Sequence, residues 1–124
     1  MGSLFSSTLK REDIDMALAK AKQIVSSNPV VVFSKKYCGY CPRVKNLLSQ
    51  LQATYKVIEL DEEADGDEIQ AALHEWTGQR TVPNVFINGK HIGGSDVVMA
   101  KHQQGQLVPL LIEAGAIPKQ SMQS

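Results

Sequence analysis

Two cysteines occur in the 124 residues, separated by two positions in Cys38-Gly39-Tyr40-Cys41. A thiolate beside a second thiol is the equipment for disulfide exchange: one sulfur attacks a disulfide, and the other resolves the mixed disulfide that forms. The surrounding sequence favours the thiolate. The apolar run Val30-Val31-Val32-Phe33 precedes the pair, and Val44, Leu47, Leu48 and Leu51 follow it at helical spacing. Strand, tight turn and helix put a thiol at a helix N-terminus, where partial positive charge stabilises the sulfur anion. Lys35, Lys36 and Arg43 push the same way. Two other uses of the pair fit less well. A zinc site needs two more ligands, and His74, His91 and His102 are scattered without ligand spacing. A structural disulfide closing so small a loop would contribute little loop entropy.

The elements that must hold this motif can be read in order. Residues 1 to about 10 are small and polar, and read as a flexible tail. Ile14, Ala17, Leu18, Ala21 and Val25 then form one helical stripe, which Asn28-Pro29 ends. Val30 to Ser34 is a strand buried on both faces. The helix after the cysteines runs to about Gln52, with Pro42 in its first turn. Tyr55 to Leu60 is a second strand. The acidic stretch Asp61, Glu62, Glu63, Asp65, Asp67 and Glu68 reads as a solvated loop entering a helix, rather than as a metal or partner site. Ile69, Ala72, Leu73 and Trp76 give that helix an inner face, with Trp76 as core, and Thr77-Gly78 stops it. Asn84 to Ile87, Asn88-Gly89 and Lys90 to Ile92 form a hairpin. Ser95 or Asp96 caps a helix carrying Val97, Val98 and Met99, Gly105 breaks it, and a last helix begins at Leu107. The order predicts an α/β fold: a mixed four-stranded sheet flanked by helices on both faces, its first two strands parallel through a helical crossover.

The chain as a whole bounds the function. Its length is that of one domain, spanning residues 11–117, with polar residues 118–124 as a tail. Thirteen basic residues balance thirteen acidic ones, so no global field draws the protein to nucleic acid or to a membrane surface. A single reactive cysteine pair suits a reducing compartment, which points to the cytoplasm. No apolar stretch approaches the length of a membrane span. Met1-Gly2-Ser3-Leu4-Phe5-Ser6 fits the N-myristoylation pattern at Gly2, a short pattern that also matches by accident, with an expression scar or a loose tail as the alternative. One such chain would give only marginal membrane association.

Three motifs stand in order along the chain: Lys35-Lys36-Tyr37-Cys38-Gly39-Tyr40-Cys41, Thr77-Gly78-Gln79-Arg80-Thr81-Val82-Pro83 and Gly93-Gly94-Ser95-Asp96. With these motifs the sequence from about 11 to 117 resembles a glutaredoxin of the thioredoxin-like fold, and most of all the dithiol class found in plants. The resemblance implies a glutathione site. Lys35, Arg80 and Gln70 would receive the glycyl carboxylate, the first two as cations and the third as a neutral donor. Val82 would pair its backbone with the cysteinyl part, beside a cis-Pro83. Gly94, Ser95 and Asp96 would offer helix N-terminal amides to the γ-glutamyl carboxylate, and the Asp96 side chain would meet the amine. Tyr40 and Thr81 complete the glutathione-binding set.

Two departures bear on function. Gly39 stands where many relatives have proline, and Ser95 where many have cysteine. Two functional expectations follow. The first is a glutathione-dependent thiol–disulfide oxidoreductase, with Cys38 as nucleophile and Cys41 as resolving thiol, acting on glutathionylated or disulfide-containing proteins. The second is a homodimer bridging a [2Fe–2S] cluster, ligated by Cys38 of each chain and by two glutathiones. In that reading Gly39 supplies loop freedom that proline would remove. The protein without a cluster is expected to be a monomer.

Overall fold

A computed structural model of the chain describes residues 9–118. The Gly2 pattern, most of the expected N-terminal tail, and the tail beyond 118 lie outside the described residues. Leu9 and Lys10, assigned above to the loose tail, instead belong to the start of the first helix. That helix, α1 (Arg11–Ser27), takes Lys10 as its N-cap, and Leu9 packs in the same cluster as Ile14. This pairing of the residue before the cap with one in the first turn is a hydrophobic staple. At the other end, Asn28 turns extended ahead of Pro29.

Strand β1 (Val30–Ser34) is buried at all five positions because it sits in the middle of the sheet with helices on each side. The remaining elements are α2 (Cys41–Gln50), β2 (Lys56–Glu59), a 3-10 turn (Leu60–Glu62), α3 (Gly66–Thr77), β3 (Asn84–Ile87), β4 (Lys90–Gly93), α4 (Ser95–Gln103) and α5 (Leu107–Glu113). The sheet order is β2-β1-β3-β4, with β1 and β2 parallel and the other two pairings antiparallel. Alternate residues of β1 feed two cores. Val31 and Phe33 face α1 and α3, whereas Val30 and Val32 face α2, α4 and α5. This is the mixed, double-faced sheet that the element order predicts.

Three boundaries move. β2 ends at Glu59, because Leu60 already enters the 3-10 turn. α2 stops at Gln50, and Gln52 takes a left-handed conformation (φ 59°) that turns the chain toward β2. α4 is not capped by Ser95 or Asp96: both are inside the helix, and extended Gly94 occupies the cap position without a side-chain bond. The stops read from glycine hold. Gly78 is left-handed and donates its N–H to the His74 carbonyl at 2.8 Å. Asn88 and Gly89, both with positive φ, turn the hairpin. Trp76 is half-buried, stacked on Phe86 with ring centroids 4.8 Å apart, and packs against the α1/α3 core.

Candidate active site

The end of β1 hands the chain to the cysteine turn. Cys38 N–H closes this turn on the Lys35 carbonyl at 3.0 Å, and α2 begins at Cys41. The two free thiols are unequal. Cys38 is half-buried, and Cys41 is fully covered. The Cys41 N–H, at the start of α2, donates to Cys38 Sγ at 3.2 Å. With Cys41 buried, Cys38 is the accessible sulfur and the one placed to meet a disulfide. Burial pushes the Cys41 thiol up, and its hydrogen bond with the Cys38 side chain adds to this; the Ser34 hydroxyl and the Lys35 backbone work in the other direction. Cys41 is therefore held as a thiol behind Cys38.

The cleft around Cys38 has two lobes. One, of about 460 Å³, is lined by Lys35, Tyr37, Cys38, Gln70, Arg80, Thr81 and Val82. The other, of about 560 Å³, is lined by Tyr40, Gln79, Thr81, Val82, Pro83, Gly94, Ser95, Asp96 and Val97. Thr81 and Val82 belong to both, so the lobes meet on the loop before β3. The Val82–Pro83 peptide is cis, and the Val82 carbonyl lies 3.4 Å from Cys38 Sγ. Every residue that the sequence assigned to ligand binding lies along this cleft. Cations flank one end, the N-terminus of α4 forms the other, and the sulfur sits beside the junction.

The glutaredoxin family model matches residues 30–92, which run from β1 to β4. Glutaredoxin-C1 of Arabidopsis thaliana is 64% identical across 99% of both chains. The chain belongs to the glutaredoxin family. A glutaredoxin of Ricinus communis is 72% identical over 82% of this chain and 100% of that one. Among solved structures, a buckwheat glutaredoxin–glutathione complex superposes with a TM-score of 0.87 at 68% identity, covering 88% of this chain and 99% of that one. The holo form of glutaredoxin C1 from Populus tremula x tremuloides gives a TM-score of 0.78 at 64% identity, with 80% and 98% covered.

Several of these residues have partners inside this glutaredoxin site. Gln70 lines the Cys38 lobe, and its Nε2 donates to the Arg80 carbonyl at 2.8 Å, so it also holds the loop. The Lys36 ammonium pairs with Glu62. Arg43 lies over the Tyr40 ring, 5.7 Å from its centroid. The acidic stretch is more than a solvated loop. The Asp61 carboxylate accepts the Lys36 backbone N–H at 3.1 and 3.2 Å, tying the cysteine turn to the 3-10 turn that follows β2. Lys20 reaches Glu63 and Asp65 from α1. Ser95, expected as a cap or a ligand contact, is buried, and its Oγ has no hydrogen-bond partner among the described residues. Two further residues line the cleft without a chemical type that marks them in the sequence: Tyr37, 91% exposed on the Cys38 lobe, and Gln79 on the other. Gln79 lies inside a quoted motif, but only its tertiary contacts reveal what it holds.

Proposed function

We propose that this glutaredoxin reduces protein–glutathione mixed disulfides and protein disulfides, with glutathione as the reductant. The observation that carries the reading is the position of Cys38 Sγ beside the junction of the two lobes, with Cys41 buried behind it. Glutathione is extended, with carboxylates at both ends and sulfur in the middle, and the cleft has the matching layout. Lys35 and Arg80 receive the glycyl end, the Val82 backbone pairs with the middle, and the α4 N-terminus receives the γ-glutamyl carboxylate beside Asp96. The similarity to a relative solved with glutathione supports this docking.

The Cys38 thiolate attacks the glutathione sulfur of a mixed disulfide. A Cys38–glutathione disulfide forms, the original S–S bond breaks, and the target thiolate leaves and takes a proton from water. A second glutathione thiolate then attacks the bound glutathione sulfur. Glutathione disulfide departs, and the Cys38 thiolate is restored. With a protein disulfide, Cys41 loses its proton and attacks the Cys38 sulfur, expelling the target; two glutathiones then reduce the Cys38–Cys41 bond. The test is turnover of a glutathionylated peptide. Cys38→Ser should lower the rate at least about a thousandfold, while Cys41→Ser retains most of it. Activity surviving in Cys38→Ser would reject the mechanism.

The cysteine turn supports a second, additional reading. A side chain at Gly39 would meet nothing within 4 Å, so packing does not require glycine there, and the loop freedom it gives is the residue's distinguishing property. Among the described residues one chain offers a single accessible cysteine sulfur, that of Cys38, and no three His, Cys, Asp or Glu side chains gather as a metal site. A [2Fe–2S] cluster would therefore take Cys38 from two copies plus two glutathione thiolates, and it would supply electron storage or transfer rather than disulfide exchange. Gly39→Pro should abolish visible charge-transfer absorption after anaerobic reconstitution while leaving peptide deglutathionylation in place. Equal iron content in both proteins would remove the reading.

Among the described residues no helix is long and apolar enough to cross a membrane. Residence in the cytoplasm, with a minor membrane-bound fraction through Gly2, is our reading of the chain's composition and first residues. Cell fractionation of the wild type and Gly2→Ala tests it, and identical distributions would remove the Gly2 part.

A further inference from the structure

The loop Arg80-Thr81-Val82-Pro83 forms the common wall of both lobes, yet it lies outside every helix and strand. Backbone without a ladder needs other partners to be rigid. Here they are two glutamine side chains. Gln70 takes the Arg80 carbonyl. Gln79 Nε2 donates to the Thr81 and Pro83 carbonyls, each at 3.0 Å, with both amide protons in use. Those carbonyls flank Val82. The carbonyl left over is that of Val82, and it faces Cys38 Sγ.

The clip is itself anchored. The Gln79 N–H donates to Thr77 Oγ1 at 3.1 Å, and that hydroxyl donates to the Leu73 carbonyl at 2.8 Å, inside α3. A chain of hydrogen bonds therefore runs from the helix to the wall of the cleft. On its far side the clip touches the N-terminus of α4: a Cβ on Gly94 would lie 3.5 Å from the Pro83 oxygen and 3.6 Å from Gln79 Nε2.

We infer that Gln79 is a positioning residue that holds the Val82 peptide group in the orientation needed to pair with the peptide backbone of glutathione, and so sets selectivity for glutathionyl disulfides over non-peptide ones. The inference rests on the glutathione reading above. Gln79 acts through Val82, and a disulfide without a peptide backbone has nothing for Val82 to pair with. Loosening the loop therefore penalises one substrate class more than the other.

The experiment compares second-order rate constants of the reduced protein with glutathione disulfide and with bis(2-hydroxyethyl) disulfide. Gln79→Met keeps the side-chain volume and removes both donors; Gln79→Glu keeps the shape and sets an acceptor against two carbonyls. Each should lower the ratio of the two rate constants about tenfold, the effect of losing two hydrogen bonds. A ratio within about twofold of wild type in a folded variant overturns the inference, since general loosening would slow both reactions alike. In the wild-type protein the Gln79 side-chain amide protons should exchange with water at least about tenfold more slowly than those of exposed Gln50, and equal rates overturn the inference without any variant. If the wild type itself shows no preference for glutathione disulfide, the glutathione reading fails instead.

Discussion

In the proposed reaction the chemistry is divided between two sulfurs and two cations. Among the described residues, the ion pairs use Arg11, Lys20, Lys36 and Lys45, which leaves Lys35 and Arg80 available at the mouth of the cleft. Removing either charge should act on binding. Lys35→Ala is expected to raise the KM for glutathione about tenfold with a much smaller effect on kcat, and steady-state kinetics would show a shared loss in both if Lys35 acted in the transition state instead. Cys41 makes a pH prediction. Its thiol is raised above the ordinary range, mainly by burial, so the folded state favours the protonated form. Stability from this preference is fully present below the unfolded thiol value and is lost as pH rises through the raised one. In activity the sign is opposite, because attack needs the thiolate. In single turnovers of the reduced protein without glutathione, release of the target from its mixed disulfide with Cys38 should climb about tenfold per pH unit up to the raised value, and Cys41→Ser should not release it. A flat profile in the wild type would show that Cys41 does not limit the step. These residues were legible in the sequence because their types carry chemistry. Gln79 and Asp61 were not, since their roles depend on which backbone groups they meet in space.

At the scale of elements, periodicity identified what packing enforces. β1 was readable because an uninterrupted β-branched run has few alternatives to a strand covered on both sides, and the hairpin because Asn88-Gly89 suits a turn with positive φ. Helix capping at α4 was not readable: Ser95 has the composition of a cap, but burial takes its side chain inward, and extended Gly94 takes the role. The start of α3 carries a constraint that sequence conceals entirely. A Cβ on Gly66 would lie 1.8 Å from the Leu60 carbonyl oxygen, a backbone atom that cannot swing aside. The 3-10 turn and α3 touch there, and the Asp61 that grips the cysteine turn is the residue after Leu60. Gly66→Ala should therefore cost more than about 2 kcal/mol in denaturant unfolding. It should also slow peptide deglutathionylation in the fraction that remains folded. A variant with wild-type stability would mean that the turn shifts freely.

In the whole molecule, one sheet divides two cores, and the catalytic edge is where its central strands end. β1 delivers the cysteine turn, and its antiparallel neighbour β3 emerges from Pro83, so the two walls of the cleft are adjacent strands of one ladder. Phe86 sits at the centre of this arrangement. It packs edge-on to Phe33 of β1 at 5.8 Å and stacks on Trp76 of α3 at 4.8 Å. It thus joins both wall strands to the helix that anchors Gln79. Phe86→Ala should cost about 3–5 kcal/mol, a large part of the about 5–15 kcal/mol that holds a domain together. Trp76 is the single tryptophan, and its fluorescence reports unfolding directly. Because the lost ring supports both walls, the folded fraction should also bind glutathione more weakly, which titration of that variant against Phe86→Leu would measure. The leucine variant refills part of the space and should recover both properties together. Recovery of stability without recovery of affinity would separate the core from the cleft and show that the walls are held by their local hydrogen bonds alone.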